Sequence, residues 1–252
     1  MRTSFAFVVL VAAFAPLDAG KLPSYIKACR KDDPKLNECA VKNGQAAIPS
    51  LIQGDKSLGI PKLDPLEIEK VVVGDANKKG GGGLGITFTC YKCKISGLKD
   101  LQLKDAKIDL KKKTFEFTGK VPKVGVKGRY TTEGRVLILP IKGNGTADLT
   151  LGDLNLKYRL LYDLVKGKDG KDHVKFKSPK LDFKVDQFKI KLTNLFNGDK
   201  NLGEQMNAFL NENWREVLKE FGPAVIEAIN QIIVLITNSI AEKVPYDDIF
   251  LK

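Results

Sequence analysis

The fold is decided by one apolar stretch near the C-terminus, residues 225–240, which reads VIEAINQIIVLITNSI. Its apolar residues recur at the three- and four-residue spacing of a helix; they are Val225, Ile226, Ile229, Ile232, Ile233, Ile236 and Ile240. Residues 232–236 are apolar on every side, which in a soluble protein predicts burial on nearly every side. A helix over residues 224–243 would be about 30 Å long, which is long enough to line a tunnel.

Polar residues within this stretch argue against a membrane-spanning helix. A span needs about 20 predominantly apolar residues, and this stretch is interrupted at Glu227, Asn230, Gln231 and Asn238. We therefore expect the core helix of a soluble protein.

A second helical stripe precedes this stretch and consists of Met206, Phe209, Leu210, Trp214, Val217, Leu218 and Phe221. Gly222 and Pro223 separate the two stripes. Because proline lacks a backbone N–H and clashes with the preceding turn, the sequence predicts a kinked or split helix at this point.

Between about residues 68 and 192 the period changes to two, which is typical of half-buried antiparallel strands. The alternating apolar residues include Phe115, Phe117, Val121, Val174, Phe176, Leu181, Phe183 and Val185. Turns are predicted at residues 111–113, 132–134, 143–145 and 168–170. The strands should therefore follow one another as a meander.

The apolar face of these strands changes phase at residues 152–153 and again at residues 186–187. Leu149 and Leu151 are odd-numbered, whereas Leu154 and Leu156 are even-numbered. Such a slip would turn every later side chain to the wrong face unless a β-bulge absorbed it. Because bulges bend sheets, the sequence predicts an α+β fold in which a strongly curved antiparallel sheet wraps around the long C-terminal helix.

The first twenty residues have the layout of a signal peptide. Arg2 precedes an apolar run over residues 5–14, which Pro16 and Asp18 close before Ala19 and Gly20. We expect residues 1–20 to be removed. Residues 21–252 should then form a single domain of a secreted, extracellular protein.

The net charge of +12 raises nucleic acid or an anionic membrane as partners. Only six of the 42 basic residues are arginine, although base and phosphate recognition favours arginine. The lysines are also scattered at alternate positions. We therefore expect a solvated, lysine-rich outer face and no nucleic-acid partner.

The four cysteines of a secreted chain suggest disulfides, with three possible connectivities. We favour a bond between Cys29 and Cys39, which flank a short polar loop. Cys90 and Cys93 lie between strand and turn residues rather than at the start of a helix. We interpret them as a possible second, local disulfide at a bulge or turn, with free thiols as the alternative.

Residues for catalysis, metal binding or phosphate binding are not found in a suitable pattern. His173 is the only histidine and lies near a predicted hairpin tip, so we expect it to be exposed. One histidine does not complete a zinc site. The glycine-rich run at residues 79–85 lacks the Gly-Lys-Ser/Thr of a phosphate-binding loop and is interpreted as a flexible loop. We expect no catalytic residue, no metal, no cofactor and no enzyme activity.

Several separated motifs resemble one protein family. Residues 134–145, GRVLILPIKGNG, resemble the first signature of the insect takeout and haemolymph juvenile hormone-binding proteins. Residues 196–216, FNGDKNLGEQMNAFLNENWRE, with KVPYD at 243–247, resemble the second. Cys29 and Cys39 match the N-terminal disulfide of the family, and LGIPKLDP at residues 58–65 matches its proline-containing crossing.

The resemblance implies a tubular lipid-binding (TULIP-like) fold with an internal apolar tunnel. It also implies carriage of juvenile hormone, a terpenoid, a fatty acid or a quinone-like molecule, and a link to circadian, feeding or chemosensory physiology. The second disulfide of the hormone-binding branch has no counterpart here, which favours a takeout-like role. The alternative is an anionic-membrane or lipopolysaccharide-binding defence protein of the same fold superfamily, motivated by the +12 charge.

The predicted tunnel is lined by one set of residues from the helix and another from the sheet. The helix set is Val225, Ile229, Ile232, Ile233 and Ile236. The sheet set is Phe115, Phe117, Tyr158, Phe176, Phe183 and Phe188. We expect a monomer whose main partner is a small hydrophobic ligand and which contacts a membrane or a receptor only transiently.

One glycosylation site is predicted. Asn144-Gly145-Thr146 is the only Asn-x-Ser/Thr sequence after the signal peptide. It lies in a predicted hairpin tip, so we expect Asn144 to carry a glycan.

Overall fold

The computed structural model describes residues 22–74, 85–136 and 139–252. The predicted signal peptide and the glycine-rich run at residues 79–84 lie outside these described residues. The elements in chain order are β1 (Cys29–Arg30), α1 (Leu36–Leu51), β2 (Leu66–Gly74), β3 (Gly85–Ser96), β4 (Gln102–Asp109), β5 (Thr114–Val136), β6 (Leu139–Lys166), β7 (Asp172–Lys184), β8 (Gln187–Leu192), α2 (Lys200–Glu212), α3 (Trp214–Lys243), α4 (Tyr246–Ile249) and β9 (Phe250–Leu251). Two short 3-10 helices, Leu98–Asp100 and Phe196–Gly198, complete the list.

The sheet is built on one long hairpin. β5 pairs from Thr114 to Val136 with residues Leu139 to Leu161 of β6, without a register shift. β4 and β3 pair with successive parts of β5, and β8 and β7 pair with successive parts of β6. The result is a seven-stranded antiparallel sheet.

Two of the four predicted turns are wrong. The turns at residues 111–113 and 168–170 are present, but residues 132–134 lie inside β5 and residues 143–145 inside β6. Gly143 does not reverse the chain but lets the Tyr130 side chain lie close to the β6 backbone. A Cβ atom on Gly143 would lie 2.6 Å from the Tyr130 hydroxyl oxygen. These strands are correspondingly longer than the sequence predicts.

A crease crosses the sheet at the level of Asp153. On β6 the exposed side chains are even-numbered up to Thr146 and odd-numbered from Asn155 to Arg159. β5 changes phase at the facing residues, with its register to β6 unbroken. Asp153 has a positive φ of 52°, and the gap between β7 and β8 lies beside it. The predicted one-strand bulges are therefore wrong at these positions, because neighbouring strands change phase together.

Register shifts bend the flanking strands at three places instead, and two of these bulges contain a residue with a positive φ. The pairing of β3 with β5 shifts between Tyr91 and Lys94, where Lys92 has a φ of 48°. The pairing of β6 with β7 shifts opposite Ser178, which has a φ of 51°. Pro179 follows it and cannot donate to a strand ladder. Because a bulge increases the local twist, both bulges add to the curvature of the sheet.

The C-terminal helix is continuous through Gly222 and Pro223, so the predicted split is wrong, whereas the alternative of a kink at Pro223 stays a prediction. The chain breaks instead at Asn213, between α2 and α3. The Asn213 side-chain amide donates to the Phe209 carbonyl at 2.8 Å and so caps the end of α2.

By length and composition α3 could cross a membrane, contrary to the sequence-based expectation. One such helix is weak evidence for a membrane protein, because a core helix of a soluble protein can pass the same test.

Helix α3 bridges the two edges of the sheet. The Phe221 ring lies against Gly74 of β2, where a Cβ atom would be 2.7 Å from the ring. The next residue, Gly222, lies beside Phe183 of β7, with 4.0 Å from an added Cβ to the ring. β2 and β7 end the main strand order of the sheet, so the predicted curved sheet around a C-terminal helix is confirmed.

Two apolar clusters close the ends of this arrangement. The α1 cluster comprises the buried residues Cys29, Leu36, Phe115, Tyr162, Val174, Ala241 and Phe250. The α2 cluster comprises the buried residues Ile86, Tyr130, Ile141, Ala147, Ile190, Leu192, Leu195, Met206, Leu210 and Val217. The first and last described strands meet at the α1 cluster, because β1 pairs in parallel with β9.

Candidate ligand-binding site

Between the two clusters, the inward residues of the sheet are only half-buried. On β6, Leu154, Leu156 and Tyr158 are half-buried, whereas the next inward residues, Leu160 and Tyr162, are 4% and 2% exposed. They alternate with exposed residues on the outer face, so their accessible area faces helix α3. We call the region between these sheet residues and α3 the middle space.

The predicted ligand-binding residues fall in three places. Phe115 is buried in the α1 cluster, 5.0 Å from Tyr162 between ring centroids. Phe117 and Phe176 pack against the α1 cluster, and Phe188 packs against the α2 cluster. The others are partly accessible and belong to neither cluster; they are Tyr158, Phe183, Val225, Ile229, Ile232, Ile233 and Ile236.

The most buried face of α3 is not the one that the isoleucine pattern predicts. In mid-helix Asn230 is 5% exposed, and it shares a face with Ile233 and Thr237. Val225 is 40% exposed and Leu235 70% exposed, so the predicted burial on nearly every side is wrong. The physical reason is that α3 rests on two sheet edges, which leaves one flank of the helix outside.

Three asparagines join the helices to sheet edges. Each accepts the backbone N–H of one strand residue and donates to the carbonyl of the same residue. The pairs are Asn207 with Leu192, Asn211 with Ile190 and Asn238 with Phe176, at N–O distances of 2.7–3.1 Å. These side chains satisfy strand groups that would otherwise form an open edge. They also fix the distance of α2 and α3 from the sheet.

Two buried side-chain oxygens have no hydrogen-bond partner within the described residues: the Tyr158 hydroxyl and the Asn230 amide oxygen. Leaving such a group unpaired costs about 1–3 kcal/mol. Burial also raises the pKa of Tyr158 to about 12, so its hydroxyl remains a donor at neutral pH. The sequence offered one signal for Asn230, its helical spacing from Ile226 and Ile233, but neither Asn230 nor Leu154 nor Leu156 was predicted.

His173 is buried, and the prediction of an exposed histidine is wrong. It is 4% exposed, with Nδ1 2.8 Å from the Ala241 carbonyl oxygen and Nε2 3.1 Å from the Asp169 carboxylate. The histidine lies at the start of β7 and points at the last turn of α3, whose carbonyls lack helical partners. Burial lowers the pKa of His173, but the hydrogen bonds to Ala241 and Asp169 outweigh it and the net pKa is raised.

The outer face of the sheet carries ion pairs between lysines and carboxylates on neighbouring strands. They include Lys94–Glu67, Lys120–Asp153, Lys127–Asp148, Lys157–Glu116, Lys166–Asp172 and Lys177–Asp163. Each exposed pair contributes only about 0–1 kcal/mol. Their main effect is that many of the lysines have a nearby acidic partner.

Both expected disulfides are present. Cys29–Cys39 joins β1 to α1, with the Cα atoms 6.1 Å apart. Cys90–Cys93 spans the bulge of β3, and both residues are buried. A Cβ atom on Gly128 would lie 2.9 Å from the Cys90 sulfur, so this disulfide packs on the β5 backbone. A buried bond in a strand lacks the partly exposed setting of a reactive cysteine pair.

The Asn144 side chain is exposed on β6. Its position is a strand rather than the predicted hairpin tip, as described above. The Thr146 hydroxyl of the same sequon lies 2.9 Å from the Thr193 hydroxyl. Glycosylation of Asn144 stays a prediction.

Within the described ranges, no group of three or more His, Cys, Asp or Glu side chains is placed to hold a metal ion.

The curved sheet, the bridging helix and the incompletely buried apolar residues between them define a tubular lipid-binding (TULIP-like) α+β protein. A family model described as haemolymph juvenile hormone binding protein (JHBP) matches residues 5–251. The chain therefore belongs to the haemolymph juvenile hormone binding protein family, whose members are carriers that bind small hydrophobic ligands.

Individual relatives agree with this assignment. The chain is similar to the crystal structure of Takeout 1 from Epiphyas postvittana, with 34% identity, a TM-score of 0.78, and coverage of 90% of this chain and 100% of that one. It is 25% identical over 240 residues to the circadian clock-controlled protein daywake of Drosophila melanogaster, covering 91% of this chain and 88% of the relative. It is 22% identical over 207 residues to a putative beta-carotene-binding protein of Schistocerca gregaria, covering 82% and 80%.

Proposed function

We propose that this chain is a secreted carrier that holds one small hydrophobic ligand in a tunnel formed by the middle space. The observation that carries the proposal is the half-burial of Leu154, Leu156 and Phe183 on the inward face of the sheet. Protein interiors normally pack at a density of about 0.75, and the clusters at both ends are buried accordingly. Because these apolar side chains face a helix and yet remain accessible, they leave room for an apolar ligand.

The remaining parts of the proposal concern location and ligand. Two disulfides are typical of proteins from oxidising compartments, which supports secretion and the removal of residues 1–20. A terpenoid, a fatty acid derivative or juvenile hormone has the elongated apolar shape that a space beside a 30-residue helix suits. The relatives named for circadian control and for beta-carotene binding motivate a role in daily physiology and a polyene or terpenoid ligand. The carrier would act as a monomer.

The alternative is binding to anionic membranes, motivated by the charge of +12. The cross-strand ion pairs favour a solvated outer face instead, because they set acidic groups beside the lysines. Co-sedimentation with phosphatidylserine vesicles tests this point. Strong binding that salt weakens would support the membrane function, and its absence would support the carrier.

The carrier is tested with the substitution Ile233→Trp, which places a large side chain in the middle space. Affinity for an apolar fluorescent probe should fall, while the urea midpoint changes little because the added volume enters free space. The matched control is Ile141→Trp in the α2 cluster, where Ile141 is 3% exposed. Overpacking there should cost about 1–3 kcal/mol. Unchanged probe affinity together with a large stability loss for Ile233→Trp would show that the helix is ordinary core.

A further inference from the structure

We infer that Tyr158 and Asn230 form a polar recognition point inside the apolar tunnel, which selects ligands carrying an uncharged oxygen group such as an ester, a ketone or an alcohol. The inference rests on the proposed carrier function. Its starting point is that these two residues hold the buried side-chain oxygens that lack a partner within the described residues. A ligand oxygen could receive the hydrogen bond of Tyr158, and the Asn230 amide can both donate and accept.

Burial and direction place both groups toward the middle space. Asn230 is 5% exposed, on the face of α3 that also carries Ile233. Tyr158 is one of the inward residues of β6 and follows Leu156 on the same face. Thr237, on the Asn230 face, donates its hydroxyl to the Ile233 carbonyl at 2.8 Å. That threonine is therefore already satisfied within the helix, unlike Asn230.

The two groups also lie at the same level along the tunnel. Helix α3 runs antiparallel to β7, since Gly222 lies beside Phe183 and Asn238 is hydrogen-bonded to Phe176. Sixteen helical residues and seven strand residues both span about 23–24 Å. Asn230 is halfway between the helix anchors, which corresponds to about residues 179–180 of β7.

This level is close to that of Tyr158, because its partner across the β6–β7 ladder is Leu181, one to two residues farther along β7. The two side chains thus approach the middle space from opposite walls at nearly the same height, within roughly 5 Å of each other along the tunnel. A ligand bound there would have apolar wall on both sides of its polar group. The selected group should accordingly sit within an elongated molecule, or at one end of a molecule that fills half of the space.

The surroundings favour an uncharged group. The ladder partners of Tyr158 are Phe117 on β5 and Leu181 on β7, both apolar. A carboxylate at this height would be desolvated beside neutral groups, which is far more costly than burying an ester or an alcohol. An alcohol can accept from Tyr158 and donate to the Asn230 oxygen. An ester can accept from Tyr158 but leaves the Asn230 oxygen unpaired, and a plain hydrocarbon leaves both protein oxygens unpaired. The preference should therefore run from alcohol to ester, and then to hydrocarbon and carboxylate.

The test uses four ligands of one chain length: methyl palmitate, hexadecanol, hexadecane and palmitate. Each displaces the fluorescent probe N-phenyl-1-naphthylamine from the full mature protein. For the wild type, hexadecanol should bind about tenfold or more tighter than hexadecane, as two hydrogen bonds of about 1 kcal/mol would give, and methyl palmitate about three- to tenfold tighter, as one would give. Tyr158→Phe should weaken both about three- to tenfold, whereas Asn230→Leu should weaken hexadecanol alone by that factor, and neither should change hexadecane.

Two control variants remove polar atoms that are already satisfied. Tyr162→Phe removes a hydroxyl that pairs with Tyr246 in the α1 cluster, and Thr237→Val removes the hydroxyl bonded within α3. Neither should change the ligand order. Urea midpoints without ligand distinguish recognition from structure, because a recognition role predicts no loss for Asn230→Leu.

The outcomes separate the inference from the carrier function. Displacement by all four ligands without preference for the oxygen-bearing ones would overturn the inference and leave the carrier function standing. Equal weakening of hexadecane and hexadecanol in both variants would do the same. If none of the four displaces the probe and the probe itself does not bind, the carrier function fails first.

Discussion

The α1 cluster and the middle space are made from successive inward positions of the same strands, yet they differ in packing. Phe115, at the α1 end of β5, lies within 5.7 Å of three aromatic rings between centroids. Tyr158, which lies opposite the next inward residue of β5, Phe117, has a buried hydroxyl without a partner among the described residues. The α1 end is filled by pieces from distant parts of the chain, such as Phe250, whereas the middle faces α3 in the part of the chain that the structure describes. Strand alternation therefore sets the direction of a side chain, and the other elements decide whether it is packed.

The largest expected effect tests this difference with two phenylalanines. Phe115→Ala removes a ring that is 7% exposed and should lower the free energy of unfolding by about 3–5 kcal/mol. Phe183→Ala removes a half-buried ring beside Gly222 and should cost clearly less while weakening probe binding. Urea denaturation and probe titration on both variants give the comparison. Equal stability losses would mean that the middle is packed as tightly as the end.

The next effect concerns asparagines that look alike in sequence. Asn211→Leu leaves the Ile190 N–H and carbonyl without their partner and should cost about 2–4 kcal/mol. Asn230→Leu removes an oxygen that has no partner, and ligand-free stability should stay equal or rise by about 1 kcal/mol. Thermal and urea unfolding measure both. A loss for Asn230→Leu as large as for Asn211→Leu would contradict the distinction.

A smaller, pH-dependent effect is expected at the closed end, where His173 joins β7 to α3. Its folded pKa is raised, so the charged form is favoured in the folded state. Its contribution to stability is complete below the unfolded pKa of about 6.5 and is lost as the pH rises through the folded pKa. His173→Gln should therefore destabilise the protein by about 1–3 kcal/mol at pH 5.5 and by less at pH 8.5.

Asp169→Asn is the control for this histidine, because it keeps the side chain buried and removes the charge that faces Nε2. The pH dependence of the wild type should be reduced in this variant. A difference between wild type and His173→Gln that grows with pH would show that the sign is wrong.

The smallest effect on stability is expected on the outer face, at Asn144. Material secreted from insect cells should lose mass on treatment with a glycosidase, because the side chain is exposed and lies in a sequon. Removal of the glycan should change the free energy of unfolding by less than about 0.5 kcal/mol. Mass spectrometry decides the first point, and an unmodified Asn144 in such material would refute the prediction.

The sequence specified the architecture well because periods of two and 3.6 are local properties. It located most of the strands, the long helix and the cysteine pairs. It placed the helix break at Pro223 rather than Asn213 because proline is the stronger local signal, whereas the cap formed by Asn213 depends on the Phe209 carbonyl.

The remaining errors come from contacts between distant residues. Gly143 was interpreted as part of a turn, but it makes room for Tyr130, a residue on the neighbouring strand. His173 looked exposed because its partner Ala241 is far along the chain. The isoleucines of α3 predicted the wrong flank of the helix to be the most buried. The rotation of α3 about its axis is set by its contacts with the sheet, where Asn238 bonds to β7 and Phe221 packs on β2.

The parallel pairing of β1 with β9 gives this protein an order of events during synthesis. Cys29 and Phe250 are neighbours in space but roughly 220 residues apart, which at about 5–20 residues per second takes on the order of ten to forty seconds to synthesise. The Cys29–Cys39 disulfide needs only local chain and can form early in that interval. The end of the tube near α1 stays open until Phe250 emerges from the ribosome. A nascent chain therefore exposes its apolar lining for longer than any single strand pairing requires. Oxidation of Cys29 and Cys39 can precede the closure of this end.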